Sequence, residues 1–265
     1  MNIAVFGLGE AGSRFALDLV REGHNVRAYD PAPVPTPTGV IRCENPADAV
    51  ADVDLVLTLT AAADALGALE QCLYAVPVGA VYVDLGTGSA SLKQQLANVA
   101  ATKGLLFVDV ALMATVPGKG LRTPALASGP GAQRYLEMMA PFGIELESVG
   151  TQAGDAATRK LLRSVFMKGL AAVVIEAMRA GEAAGQADWL WDNMVNEITA
   201  AGAPLLSRLV RGTGPHAARR LHEMEASAAM LKELGVDPLM TRSTVESLKR
   251  VIRDGLPHIP VVPDE

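Results

Sequence analysis

Two sets of residues in this 265-residue chain have the types and spacing to do chemistry. The first is Gly7-Leu8-Gly9-Glu10-Ala11-Gly12, which follows the apolar run Asn2 to Phe6 and precedes a helical pattern carrying Phe15, Ala16, Leu19 and Val20. A G-x-G-x-x-G turn between a strand and a helix is the context in which this motif signals a dinucleotide. The first glycine permits a tight turn, the second lets backbone approach a pyrophosphate, and the third lets helix and strand pack closely. The helix N-terminus adds the positive end of a dipole. Asp30 ends the second strand pattern, 18 residues after Gly12, where an acid holds the adenosine ribose hydroxyls. Its carboxylate would repel a 2′-phosphate, so NAD is expected and NADP less so. The plainer alternative for Asp30 is a turn residue before Pro31.

The second set lies on a long helix expected from Asp155 to Ala184, where Lys160, Ser164 and Lys168 recur at i, i+4 and i+8. Their side chains share one face within roughly 80° of arc. The next two turns, Ala171 to Ile175, are almost wholly apolar. A polar stripe on such a helix needs partners if it is buried, because an unpaired ammonium is costly away from water. The stripe is therefore expected to face an active-site cleft between two domains, with a solvated helix face as the alternative. A partly desolvated lysine can act as a general base.

The elements that must position these residues follow from periodicity. Strand patterns recur at Gly39 to Cys43, Asp54 to Leu59, Ala80 to Leu85 and Leu105 to Val110, with helices between most of them. Two further strands, Thr123 to Ser128 and Ile144 to Ser148, flank a helix from Gly131 to Met139. Beyond Gly150 only helices are readable, at about Asp188 to Ala200, Pro204 to Arg211, His216 to Leu234 and Thr241 to Asp254, with a proline-bearing tail from Leu256 that cannot continue a helix. The expected fold class is α/β: a Rossmann-type, doubly wound parallel sheet over residues 1–152, then an all-α domain over residues 153–265. In such a sheet the loops at the carboxyl ends of the strands line the ligand crevice, which singles out Thr60, Gly86, Thr87 and the segment after Asp109.

Composition narrows the class. Half of the residues are apolar, enough for a sizeable core, and the formal charge of −6 argues against nucleic acid as the main partner. No basic run suits a membrane surface, and no stretch of about 18 uncharged apolar residues suits a membrane span. Two cysteines, Cys43 and Cys72, fit a reducing cytoplasm and exclude a disulfide framework. No leader is expected, because the chain opens directly on a strand pattern. No metal site is read from the sequence.

The stretch from Gly7 to Asp30 closely resembles the opening of the β-hydroxyacid dehydrogenase superfamily, whose members include 3-hydroxyisobutyrate and 6-phosphogluconate dehydrogenases. The resemblance covers nearly the whole chain. Val83-Asp84-Leu85-Gly86-Thr87 resembles the family's loop beside the nicotinamide, and Gly154 through Lys160 resembles the segment that brings its catalytic lysine. The Gly-Glu-Ala-Gly wording, Lys168-Gly169, and Arg219-Arg220 with Glu223-Met224 look like a side branch with a variant helical C-terminal domain.

The resemblance implies an NAD(P)-dependent oxidoreductase that passes hydride between a nicotinamide and a small hydroxyl-bearing, acidic substrate of the 3-hydroxy acid type. Lys160 would be the acid/base, Thr60 and Thr87 would flank the nicotinamide ribose, and Leu8, Glu10 and Ala11 would complete the phosphate turn. Where the family has an asparagine four residues after the lysine, this chain has Ser164; where it has Ser-Gly-Gly for a substrate carboxylate, this chain has Met113-Ala114-Thr115. Lys168 is then a second cation that could receive an anionic group or pair with an acid. His222 falls where relatives place a lysine near the nicotinamide, although a lone histidine on an amphipathic helix is more often structural. Of the adjacent Arg219 and Arg220, which point about 100° apart, at most one can reach substrate. Trp189, Trp191 and Met194 are expected in a core or subunit interface, and a homodimer is expected, since relatives pair such helical domains. The alternatives are an imine reductase, whose members commonly carry Asp or Tyr at the lysine position, and a dinucleotide-binding protein without turnover.

Overall fold

The computed structural model describes residues 1–201 and 204–258. The chain divides into two compact units, Met1–Ser164 and Val165–Glu265, and each is described by itself. The part of the expected proline-bearing tail beyond residue 258 lies outside the described residues.

In the first unit, β1 (Asn2–Phe6), β2 (Asn25–Tyr29), β3 (Ile41–Arg42), β4 (Leu55–Thr58), β5 (Val81–Asp84), β6 (Leu106–Leu112), β7 (Ala125–Ser128) and β8 (Leu146–Ser148) form one sheet. Their spatial order is β3-β2-β1-β4-β5-β6-β7-β8. Alternate residues of β1 feed two cores on opposite faces. Ile3 and Val5 pack with Phe15, Leu19 and Leu57, and Ala4 and Phe6 pack with Val56, Leu69 and Phe107. A sheet covered on both faces explains why β4 and β5 are wholly buried and read as continuous apolar runs instead of alternating ones. The helices that cover it are α1 (Glu10–Arg21), α2 (Pro46–Val50), α3 (Ala65–Cys72), α4 (Ala90–Ala101) and α5 (Ala132–Met139). Asn45 caps α2 by accepting from the Asp48 N–H, and Ser89 caps α4 by accepting from the Leu92 N–H.

One departure from the expected parallel sheet stands out. β6 and β7 are antiparallel, with Asp109 opposite Ser128. A parallel return requires a long crossover, usually a helix. Between β6 and β7 the chain makes only a 3-10 turn, Gly120–Arg122, so it comes back in the opposite direction. The strand order reverses at β1 and β4, which places the Gly7 turn and Thr60 at the switch point of the sheet.

Helix α6 (Asp155–Ala183) begins in the first unit, and the division between units falls within it. The second unit continues with α7 (Ala187–Ala201), α8 (Pro204–Arg211), α9 (Ala217–Glu233) and α10 (Leu239–Asp254). α9 packs along α10. Glu176 of α6 is buried and caps α10, accepting from the Met240 N–H at 2.7 Å and from the Thr241 N–H and hydroxyl at 2.8 and 2.6 Å. Much of the apolar surface of α6 and α7 is uncovered within the chain: Val165 is 75% exposed, Ile175 53%, Trp189 64% and Trp191 52%. The tryptophans are therefore not core residues of the single chain. Among the described residues no helix is long and apolar enough to cross a membrane.

Candidate active site

The Gly-rich turn is built as its spacing requires. Gly7 has φ of +87°, and a Cβ there would lie 2.6 Å from the Leu59 carbonyl oxygen. A Cβ on Gly12 would lie only 1.8 Å from the Gly7 carbonyl oxygen, so α1 can seat against β1 only without a side chain at this position. Beside Gly9 there is open space, and Gly9 occupies the N-cap of α1 with no side chain capping the helix. The orphan N–H groups of a first turn left this way suit an anion.

Gly7 and Gly9 line a crevice of about 510 Å³ together with Tyr29, Asp30, Thr60 and Asp64. Asp30 is oriented from two sides: its Oδ2 accepts from the Leu8 N–H at 2.6 Å and its Oδ1 from the Ala32 N–H at 2.8 Å. Arg42 braces the loop beyond it, donating to the carbonyls of Asp30, Ala32 and Val34. Thr60 Oγ1 is buried with no hydrogen-bond partner among the described residues. The bare cradle, the aimed carboxylate and that unpartnered hydroxyl fit a dinucleotide. Leu8 contributes differently from a phosphate ligand, because its side chain is in the core and its N–H is engaged by Asp30. Glu10 and Ala11 open α1, with Glu10 exposed.

Gly86, Thr87, Asp109, Val110, Ala157 and Lys160, among others, meet in a second, narrow crevice of the same unit, which has no free volume for a water molecule. Lys160 is half-buried there. The first turn of α6 is held by two strand residues. Ser128 Oγ accepts from the Ala156 N–H at 3.0 Å, and Asp109 Oδ2 accepts from the Ala157 N–H at 2.9 Å and from the Ser128 hydroxyl at 3.2 Å. Behind them Lys93 is 1% exposed, with its ammonium 3.0 Å from both Asp84 Oδ2 and Asp109 Oδ1. The Asp109 contact is ionic but too poorly directed for a hydrogen bond. Lys93 also donates to the carbonyl oxygens of Asp84 and Gly86.

The remaining expected site residues fall elsewhere. Met113, Ala114 and Thr115 follow β6 and do not line the Lys160 crevice; Ala114 and Thr115 are exposed, and the Met113 N–H donates to the Pro124 carbonyl. Ser164 is half-buried on α6. Lys168 and His222 belong to the second unit and are exposed. Arg219 pairs with Glu223 at 3.1 Å and Arg220 donates to Thr213 Oγ1, so both are engaged within the helical unit. Among the described residues no group of three His, Cys, Asp or Glu side chains could hold a metal ion.

Lys93, Ser128 and the carboxylate of Asp109 escaped the sequence reading, although a signal was available. Asp84 and Asp109 are carboxylates in strands that are otherwise wholly apolar, and Lys93 shares its helix face with Leu96 and Ala100. Charges in such places need one another.

Comparison with known proteins agrees with this geometry. The NAD binding domain of 6-phosphogluconate dehydrogenase matches residues 2–135, half of the chain. A domain of unknown function matches residues 182–251. An uncharacterized 28.5 kDa protein of Methanothermus fervidus is 25% identical over 256 residues, covering 95% of this chain and 99% of its own. The 2-(hydroxymethyl)glutarate dehydrogenase of Eubacterium barkeri is 27% identical over 195 residues, 68% of this chain and 65% of that enzyme. Among solved structures, an imine reductase from Aspergillus terreus in complex with NADPH4 has a TM-score of 0.77 at 21% identity, covering 96% of this chain and 94% of its own. At that identity the likeness speaks for the fold alone. With its bare phosphate cradle at the switch point and a helical region after the sheet, the chain belongs to the β-hydroxyacid dehydrogenase superfamily and carries the nicotinamide dinucleotide-binding domain of an oxidoreductase.

Proposed function

We propose that this protein is an NAD-dependent dehydrogenase that oxidises a small, acidic, hydroxyl-bearing substrate of the 3-hydroxy acid type. The observation that carries the reading is the meeting of Lys160 with Gly86 and Thr87 in one crevice, at the carboxyl end of β5. When bound, the nicotinamide supplies the acceptor for the hydride leaving the carbinol carbon. Lys160 Nζ would take the hydroxyl proton of the carbinol as it is oxidised to a carbonyl. Gly7, Gly9 and Gly12 would give a pyrophosphate its close approach, Asp30 would accept from the adenosine ribose hydroxyls, and Thr60 and Thr87 would hold the nicotinamide ribose. The charge of Asp30 favours NAD over NADP. Two helical units buried against each other in a homodimer, working in the cytoplasm, complete the proposal.

The test is dinucleotide reduction with a panel of 3-hydroxy acids, including 3-hydroxyisobutyrate and 2-(hydroxymethyl)glutarate, in the wild type and in Lys160→Met. We expect Lys160→Met to bind NAD within twofold of the wild type and to lose about 100-fold or more in kcat, the usual worth of a general base. A variant keeping more than about a tenth of kcat would remove Lys160 from the chemistry.

A second reading is an imine reductase, the name carried by solved structures that share this fold. Reduction of cyclic imines that survives Lys160→Ala would select it. NAD binding without turnover of any panel member would leave a dinucleotide-binding protein.

A further inference from the structure

Lys93 is the most deeply buried cation described, and the reaction proposed above gives it no part. Its side chain is 1% exposed, and its four contacts join the end of β5, the middle of β6 and a loop: the Asp84 carboxylate and carbonyl, the Asp109 carboxylate, and the Gly86 carbonyl. The Gly86 peptide is thereby tied at both ends, since its N–H donates to Asp84 Oδ1 at 3.0 Å. Gly86 precedes Thr87 and lies close against the Thr60 carbonyl oxygen, which a Cβ there would meet at 2.8 Å. On the other side, Asp109 carries the ammonium on Oδ1 and the Ala157 N–H on Oδ2. Ala157 is three residues before Lys160, so the peptide that Asp109 holds lies one helical turn below the proposed base on the same side of α6.

We propose that Lys93 is a positioning residue: by clamping Asp109 and the Gly86 carbonyl it holds the first turn of α6 against the Gly86-Thr87 loop and so sets where Lys160 stands. Two buried carboxylates, Asp84 and Asp109, face this one ammonium. Without it they repel each other and lose their shared counter-ion. The two elements they anchor, the Thr87 loop and the start of α6, are then free to separate. A merely stabilising ion cluster would lower the melting temperature and leave Lys160 in place. The clamp ties the two together. The role rests on the dehydrogenase reading only for its effect on turnover, since the position of Lys160 can be read without any substrate.

The experiment is competitive acetylation of the full-length protein with acetic anhydride, with Lys160 labelling measured against Lys168 by peptide mass spectrometry. The variants are Lys93→Met and Ser128→Ala. The serine variant removes one hydroxyl from the same anchor and serves where Lys93→Met does not fold. We expect the Lys160 to Lys168 labelling ratio to rise at least threefold in Lys93→Met and about twofold in Ser128→Ala, as Lys160 leaves its crevice. In Lys93→Met, kcat with 3-hydroxyisobutyrate should fall at least tenfold while KM for NAD stays within twofold. A labelling ratio unchanged in every folded variant overturns the proposal whatever the activity. A changed ratio in a protein whose wild type oxidises no hydroxy acid supports the clamp and overturns the dehydrogenase reading alone.

Discussion

At the scale of single residues, the site turns on how few side chains are left to do chemistry once the backbone has been satisfied. Asp30 illustrates this: each carboxylate oxygen already accepts an N–H, from Leu8 and from Ala32, so the group is aimed before any ribose arrives. Asp30→Asn keeps an acceptor and removes the charge that would face a 2′-phosphate. The ratio of KM for NADP to KM for NAD should fall about tenfold in this variant, equivalent to ~1.4 kcal/mol. An unchanged ratio in steady-state kinetics would mean that this carboxylate does not read the 2′ position. Gly12→Ala is the harsher change, because its Cβ has no place beside the Gly7 carbonyl. NAD affinity, measured by cofactor fluorescence, should drop at least 100-fold, with α1 pushed off β1. Cys72 is also decided at this scale: burial pushes its thiol up to about 12, so Ellman's reagent should leave it unmodified until the protein unfolds.

At the scale of elements, α6 is anchored at two places along its length, once in each unit. Its first turn is satisfied by Ser128 and Asp109, and farther along Glu176 caps α10. Burial alone would raise the Glu176 pKa. The hydrogen bonds from the Thr241 hydroxyl and from the Met240 and Thr241 N–H groups, with Arg242 nearby, outweigh it and hold the carboxyl below its usual value. A folded-state pKa below the unfolded one gives stability that is complete above the ordinary glutamate pKa of ~4.3. That stability is lost as pH falls through the folded value. Glu176→Ala should cost about 1–3 kcal/mol at pH 7, measured by urea unfolding, because two N–H groups lose their acceptor. Glu176→Gln should flatten the decline of stability between neutral and acid pH; a variant with the wild-type slope would show that another group carries it.

At the scale of the whole molecule, the exposed apolar face of the helical unit asks for a cover. Val165, Phe166, Val173, Ile175, Trp189 and Trp191 are each at least 46% exposed, although large apolar side chains are the ones most often buried. In the homodimer proposed above, a two-fold pair of identical chains would supply an apolar face to each helix. Sedimentation equilibrium at micromolar protein should return twice the chain mass, and Val165→Glu with Trp189→Glu should lower it toward one chain. A wild-type monomer would sink the dimer. Because the unpaired helices would then be poorly buried, the double variant should also melt at a lower temperature.

What the residues alone determined is what local geometry determines. The strand, the three glycines and the helix after them are consecutive, so their spacing already specifies a turn that only glycine can make, and Asp30 follows one strand later. The repeat of apolar runs and helices specifies a covered sheet, and α6 is legible over its full length from composition and periodicity. Tertiary structure alone decided the rest. β7 runs antiparallel because the segment before it forms no crossover helix, and this brings Ser128 opposite Asp109 from 19 residues away. Lys93 reads as one polar residue on an apolar helix face until the sheet delivers two carboxylates to it from separate strands. Long-range electrostatic partners leave no periodic trace along the chain, since what makes a buried charge tolerable is a neighbour in space rather than in sequence.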